Sequence, residues 1–190
     1  IKDTYPIDCH LLRSLNALLL KGVESIPARD TQGNLFQKTL KAGQYKTDPN
    51  YVLQPDGTIH EYVEPHLVEG ELTDLCQWIS TSSKYHAVIT ASIAHYNMVR
   101  IHPFQDGNGR GARLLMNLVL MKNGYNPAII EVEKRETYLK CLKNADKGDL
   151  VPFTQFVADS VQKTQENILV EINAYLSKNS ISASVPASKK

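Results

Sequence analysis

No stretch of this 190-residue chain is apolar enough for long enough to cross a bilayer, and no secretory-leader pattern stands out. We therefore expect a cytoplasmic protein with no membrane partner. An excess of one charge sign is missing too: 21 Lys and Arg stand against 20 Asp and Glu, a net charge of +1. Sequence-independent nucleic-acid binders carry a basic excess, so nucleic acid is set aside as a partner. Cysteine is scarce. Cys9, Cys76 and Cys141 are odd in number, far apart and in no Cys-x-x-Cys pattern, which favours reduced, buried thiols. No His/Cys cluster has zinc spacing. His86 and His95 are nine apart and read as structural, while His60 and His66 are as readily solvent-facing. Internal repeats and a second domain are also absent, and the length suits one domain with a real core.

What is present is ordinary globular composition, 42% hydrophobic and 22% charged, dominated by apolar residues at helical spacing. Leu11, Leu12, Leu15, Leu18 and Leu19 predict a helix ending near Gly22. Residues 22–49 hold Gly and Pro and no clear element. Tyr51, Val52 and Leu53, then Gln54-Pro55-Asp56-Gly57, then Thr58, Ile59 and His60 read as the one clear hairpin. Pro65 opens a helix carried by Leu72, Leu75, Cys76 and Ile79. A longer helix over 85–101 takes Val88, Ile89, Ile93, Tyr96 and Val99 as its core stripe. Residues 110–123 are apolar nearly all round, which predicts a helix buried on every side and stopped by Asn123-Gly124. Helices near 133–146 and over 151–177 follow, then a disordered Ser/Ala/Lys tail over 178–190. The start at Ile1 leads us to expect a preceding N-terminal segment.

Between the two central helices, residues 102–113 read His-Pro-Phe-Gln-Asp-Gly-Asn-Gly-Arg-Gly-Ala-Arg. Gly107 and Gly109 let the backbone curl tightly, and the helix that follows aims unpaired N–H groups and its positive dipole end at the same point. Such junctions bind phosphate. Arg110 and Arg113, three apart, share a helix face and offer forked donors to phosphate oxygens. Asp106 is a hard oxygen ligand of the kind that holds Mg²⁺ beside nucleotide phosphates. His102, of a residue type with a reference pKa near 6.5, suits proton removal near neutral pH. Each feature alone has a bland explanation. Nine constrained positions at about 5% usage each, however, arise by chance in roughly one chain of this length in a billion.

The same string resembles the signature of the Fic family, His-Pro-Phe-x-Asp/Glu-Gly-Asn-Gly-Arg-x-x-Arg. That resemblance implies an all-α, Fic-type helical bundle over 1–177 with a short β-hairpin flap over the active site. It also implies transfer of AMP from ATP to a Tyr, Thr or Ser hydroxyl of a target protein. His102 would deprotonate the hydroxyl and Asp106 would hold Mg²⁺. Asn108 with the amides from Gly107 to Gly109 would form an anion hole, Arg110 would meet the γ-phosphate, and Arg113 would support phosphates and loop. Phe104 resembles the apolar anchor of the loop. Gly43, Tyr45 and Lys46 resemble the segment that precedes the flap, and Pro65, Val68 and Trp78 the helix after it. The flap, Tyr51, Val52, Leu53, Thr58, Ile59 and His60, would pair with the target backbone as an added strand. Tyr138, with Leu142 and Gly148-Asp149, resembles the segment lining the base pocket, though a core tyrosine explains it as well.

Many members carry an inhibitory helix with the pattern Ser/Thr-x-x-x-Glu-Gly/Asn, whose glutamate pairs with the first motif arginine. The nearest match runs from Gln162 to Glu166-Asn167 and departs at its first position, so a solvated helix face explains it at least as well. A missing N-terminal segment or a separate antitoxin-like partner is the expected source of inhibition, and self-association is left open. Transfer of another phosphate-containing group or removal of AMP is the alternative within enzymes. A nucleotide-binding module without turnover is the alternative outside them.

Overall fold

The computed structural model describes residues 5–29, 33–53 and 57–183. The elements run α1 (Cys9–Leu19), β1 (Ser25–Arg29), β2 (Leu35–Thr39), β3 (Tyr51–Leu53), β4 (Ile59–Glu61), α2 (Val68–Thr81), α3 (Ala87–Ile101), α4 (Asn108–Lys122), α5 (Arg135–Ala145) and α6 (Val151–Ala183). Short 3₁₀ turns at Pro65–Leu67 and Val132–Lys134 lead into α2 and α5. The fold is all-α with small hairpins, as the motif resemblance implies. The chain divides into two compact units, Ile1–Gly124 and Tyr125–Lys190; the sequence shows that boundary only as the helix stop at Asn123-Gly124. Among the described residues no helix is long and apolar enough to cross a membrane.

In the first unit α3 and α4 pack against each other more extensively than any other pair of helices. Small residues are prominent among those the two helices bury. Ala87, Ala91, Ser92, Ala94, Met98 and Ile101 are buried on α3, and Gly111, Ala112, Leu115, Met116, Val119 and Leu120 on α4. A Cβ added at Gly111 would stand 3.4 Å from Met98 Cε, so the two backbones approach closely. This corrects the predicted stripe. Of its members only Val88 is buried, Ile89 is exposed, and Ile93, Tyr96 and Val99 are half-buried. Reading the bulkiest residues as the core missed a contact that depends on small ones. Likewise α4 is not buried on every side: Leu114 is exposed, and Leu118 and Met121 are half-buried.

The β3–β4 hairpin is present, with register Tyr51↔Glu61, Val52↔His60 and Leu53↔Ile59. Its second strand begins at Ile59, so Thr58 belongs to the connection; Gln54, Pro55 and Asp56 lie outside the described residues. It is not the one hairpin. β1 and β2 pair antiparallel from Ser25↔Thr39 to Arg29↔Leu35, inside the stretch that read as featureless. Pro27 in β1 and the polar Gln37 and Lys38 in β2 weaken the strand pattern there, leaving only the half-buried Ile26 and Ala28 to mark a period of two.

The second unit buries Tyr138, Cys141, Leu142 and Ala145 of α5 and Phe153, Phe156, Val157 and Val161 of α6. Helix α6 continues to Ala183, past residue 178 where the sequence reading ended it, and residues 184–190 lie outside the described residues.

Gly43 ties α1 to the segment leading to β3. Its N–H donates to Asn16 Oδ1 (2.9 Å) and its carbonyl accepts from Arg13 Nε (2.8 Å). Gly43 has φ +75°, and an added Cβ would stand 3.0 Å from both Ala17 Cβ and the Arg13 carbonyl oxygen. Gly124 has a similar φ, +78°, with nothing within 4 Å. Gly124→Ala is expected to cost about 1 kcal/mol from backbone strain alone. Gly43→Ala should cost roughly 1–3 kcal/mol more from overpacking. Denaturant unfolding of the two variants measures the difference, and equal losses would refute the close approach.

Candidate active site

Helix α3 ends where it does because Pro103 disfavours the helical conformation in the residue before it. That residue is His102, the C-cap, at φ 50° and ψ 59°, the one left-handed non-glycine among the described residues. Strained backbone of this kind collects at functional sites. His102 Nδ1 lies 3.3 Å from the Val99 carbonyl oxygen. A carbonyl only accepts, so Nδ1 carries the proton and Nε2 keeps its lone pair. Burial pushes the imidazole pKa down to about 4; the Val99 bond opposes this, Lys46 and His60 add to it, and Asp106 pulls the other way. The ring is neutral at ordinary pH and can accept a proton.

Two residues on, Phe104 is fully buried and its backbone is clamped. Its N–H donates to Asn108 Oδ1 (2.9 Å), and its carbonyl accepts from Asn108 Nδ2 (2.8 Å) and Asn50 Nδ2 (3.0 Å). Tyr45 pairs with Phe104 as a β-bridge, with ring centroids 5.9 Å apart. Phe104 is thus the anchor that the resemblance implies. Both ends of the Asn108 side-chain amide serve this clamp, and its backbone N–H lies in the first turn of α4.

The cradle begins at Gly107, the N-cap of α4, at φ +80°. A Cβ there would stand 3.0 Å from Asn16 Nδ2, so glycine is required on both counts. Gly109 is different. It has no positive φ and sits inside the first turn of α4, where an added Cβ would meet only Arg113 Nη1 at 3.7 Å. Its bareness keeps the amide face open and Arg113 close beneath the turn. The first intrahelical bond is Gly111 N–H to the Gly107 carbonyl (2.8 Å), which leaves the Asn108, Gly109 and Arg110 amides directed out of the helix end.

Asp106 Oδ1 accepts from Gly107 N–H (2.6 Å), its Oδ2 pairs with Arg110 Nη2 (3.3 Å), and its carbonyl accepts from Asn16 Nδ2 (2.9 Å). Carboxylate and guanidinium are each about half exposed, a surface pair that an incoming anion and cation can separate at small cost. Arg113 lies close enough to His95 to help hold that buried imidazole down at about pKa 3, burial being the larger cause. Arg100 pairs with Glu71 of α2 and is not part of the cradle. The remaining histidines are structural or peripheral: His86 caps α3 through Val88 N–H, and His66 is exposed.

The hairpin presents exposed Tyr51, Val52 and Ile59, and His60 touches Tyr62. Tyr62 stacks on His102, so the flap's base does adjoin the reactive histidine. Tyr138 belongs to the second unit, where its ring packs against Phe153 (6.1 Å) and Phe156 (6.2 Å). Glu166 accepts from Gln162 Nε2 (2.8 Å) on an exposed face of α6. Among the described residues no three His, Cys, Asp or Glu side chains converge as a metal site. Sequence reasoning missed Asn16, Asn50 and Tyr62, whose partners lie tens of residues away and leave no local signal.

A neutral imidazole at the end of α3 and an arginine-bearing helix start with outward amides thus lie on one loop, an arrangement suited to handling phosphate. The Fic/DOC family profile matches residues 6–120, and the chain belongs to that family. It is 47% identical over 111 residues to the Drosophila virilis protein adenylyltransferase Fic, a match covering 54% of this chain and 23% of that protein. The chain thus spans about a quarter of the length of this curated relative. A Fic-domain signaling protein from Bacteroides thetaiotaomicron superposes with TM-score 0.70 at 30% identity, covering 82% of this chain and 59% of that one. Fic-1 from C. elegans gives 0.68 at 31% identity, covering 89% and 45%.

The depressed histidines carry a stability consequence. Unfolded, His102 and His95 titrate near the ordinary 6.5; folded, they do so at about 4 and about 3. Below pH 6.5 the unfolded chain therefore binds more protons, and stability falls with pH until each folded pKa is passed. Urea midpoints measured from pH 7 to 4 should fall, and His102→Asn, which tolerates the left-handed backbone, should flatten the slope by up to one proton. An identical slope in the variant would refute the burial of a neutral His102.

Proposed function

We propose that this chain transfers the AMP moiety of ATP to a hydroxyl of a target protein. The observation that carries the reading is the Nδ1–Val99 bond, which sets the tautomer and leaves Nε2 as a base on the loop that leads into α4. In the reaction Nε2 takes the hydroxyl proton as the oxygen attacks the α-phosphorus. The bond from that phosphorus to the bridging oxygen breaks, and pyrophosphate leaves. The protein's share is to hold an in-line nucleophile and to stabilise charge on phosphate oxygens. The amides of Asn108, Gly109 and Arg110 and the guanidinium of Arg110 meet that charge, with Arg113 beneath them. The curated relative's name, protein adenylyltransferase, supports the same assignment.

Mg²⁺ fits this site as the nucleotide's companion. A single half-exposed carboxylate, Asp106, suits an ion that keeps its waters and takes its other ligands from phosphates. Bound there, it would neutralise charge on the phosphates. The target docks as a strand along the β3–β4 hairpin, whose exposed Tyr51, Val52 and Ile59 give it apolar surface to cover. A helix that brings a glutamate to Arg110, for example from a separate antitoxin, would control the site; Glu166 bonds Gln162 on an exposed face of α6. Three free thiols agree with a cytoplasmic setting.

Adding the chain to a cell lysate with ATP labelled at the α-phosphate should raise protein labelling above that of lysate alone, while γ-labelling should not rise. His102→Ala should reduce α-labelling by about 10²–10⁴-fold. Transfer of γ-label would make the protein a kinase. Equal α-labelling by the variant would remove His102 from the chemistry.

A further inference from the structure

Tyr62 follows β4 and lies face to face with His102, ring centroids 3.7 Å apart and planes 22° from parallel. His60 meets the Tyr62 ring edge-on at 4.8 Å, and Lys46 Nζ lies 5.8 Å from its centroid. The Tyr62 backbone is held in turn: its N–H donates to the Asn50 carbonyl (3.3 Å), and the Asn50 side chain donates to the Phe104 carbonyl. Lys46 completes the tie, its N–H donating to the Pro103 carbonyl (2.8 Å) and its Nζ to the Ile101 carbonyl (3.4 Å). Backbone on both sides of His102, and the residue stacked upon it, therefore belong to one framework.

His102 needs such support. Its ring hydrogen bond to Val99 is long, and its backbone sits in a sparsely occupied conformation. One long bond at the ring's edge constrains the plane of an imidazole weakly; a flat surface against its face constrains it well. We propose that Tyr62 is a positioning residue for His102, holding the imidazole plane so that Nε2 meets the target hydroxyl and stabilising the positive charge that the transferred proton leaves on it. This rests on the transfer reaction proposed above. The face of an aromatic ring attracts a cation more than a neutral ring, so the stack strengthens as the proton arrives. An interaction stronger in the transition state than in the ground state raises kcat. Lys46, His60 and Asp106 are the other ionisable groups whose charge His102 feels. None of them presents a flat surface stacked on it in this way.

Tyr62→Leu removes the ring while keeping an apolar side chain, and Tyr62→Phe keeps the ring. We expect Tyr62→Leu to lower kcat for α-label transfer by about tenfold or more with KM for ATP unchanged, and Tyr62→Phe to recover most of that loss. In parallel, the imidazole proton NMR signals of His102, assigned by their disappearance in His102→Asn, should be shifted upfield by the stacked ring in the wild type and Tyr62→Phe, and return downfield in Tyr62→Leu. Wild-type kcat in Tyr62→Leu, or His102 signals indifferent to the substitution, would overturn the proposal. So would equal losses in Phe and Leu, which would place the effect on the hydroxyl. The NMR arm needs no turnover: a confirmed stack in a protein that moves no AMP would indict the proposed reaction, and an absent stack would indict Tyr62 whatever the reaction.

Discussion

Everything reactive in this chain hangs from the backbone of Phe104. Its side chain is sunk in the core, which drags a peptide N–H and carbonyl away from water, and such groups are costly when left unpaired. Asn108 satisfies both, Asn50 adds a second donor to the carbonyl, and Tyr45 bridges the strand. With Phe104 immobile, His102 two residues before it and Asp106 two residues after it cannot drift relative to each other. Asn16 then repeats the device one step outward, joining the Asp106 carbonyl to the Gly43 N–H. Three asparagine side chains thus act as struts. They give a loop, ordinarily the most mobile kind of segment, the rigidity that a reacting constellation needs.

This scheme explains which parts were legible in the sequence. The chemistry of residues 102–113 could be read because residue type limits it: an imidazole, a carboxylate and two guanidiniums can do only a few things. Gly107 was also legible, since a tight curl of the loop calls for backbone angles open to glycine, and it takes the left-handed ones. Gly109 was misread for the same reason. It looks identical in sequence, yet it stands inside a regular turn and acts by leaving space. Asn108 reads in sequence only as a contact for a phosphate; that its amide also clamps the Phe104 backbone is a matter of geometry that residue type does not show. Asn16 and Asn50 could not be found at all. An amide side chain has no preferred partner, and theirs lie across most of the domain.

The fold divides along the same line. Periodicity gave α1, α2 and the extent of α3 and α4, because burial of a stripe is a local signal. It failed on which face of α3 is buried, where Ala and Ser outcompete Ile and Tyr by letting α4 approach. It failed again on β1 and β2, whose short, polar strands around Pro27 make a pattern too weak to see. In both cases the decisive quantity is a distance between elements, which composition along one element does not encode.

One tension in the site resolves when the nucleotide is considered. A base with its pKa held near 4 is neutral around pH 7 but accepts protons weakly, since proton transfer is favoured as the pKa rises toward the working pH. The causes of the depression are burial and the charges of Lys46 and His60, opposed by Asp106. Under the proposed reaction a nucleotide brings several negative charges to the end of α4, and negative charge near an imidazole raises its pKa. Under that reaction the basicity of His102 would rise on ATP binding, so that the base is strengthened by the substrate it serves. The Phe104 clamp matters here as well: the gain depends on separation, and a loop free to swell under the incoming charge would lose it.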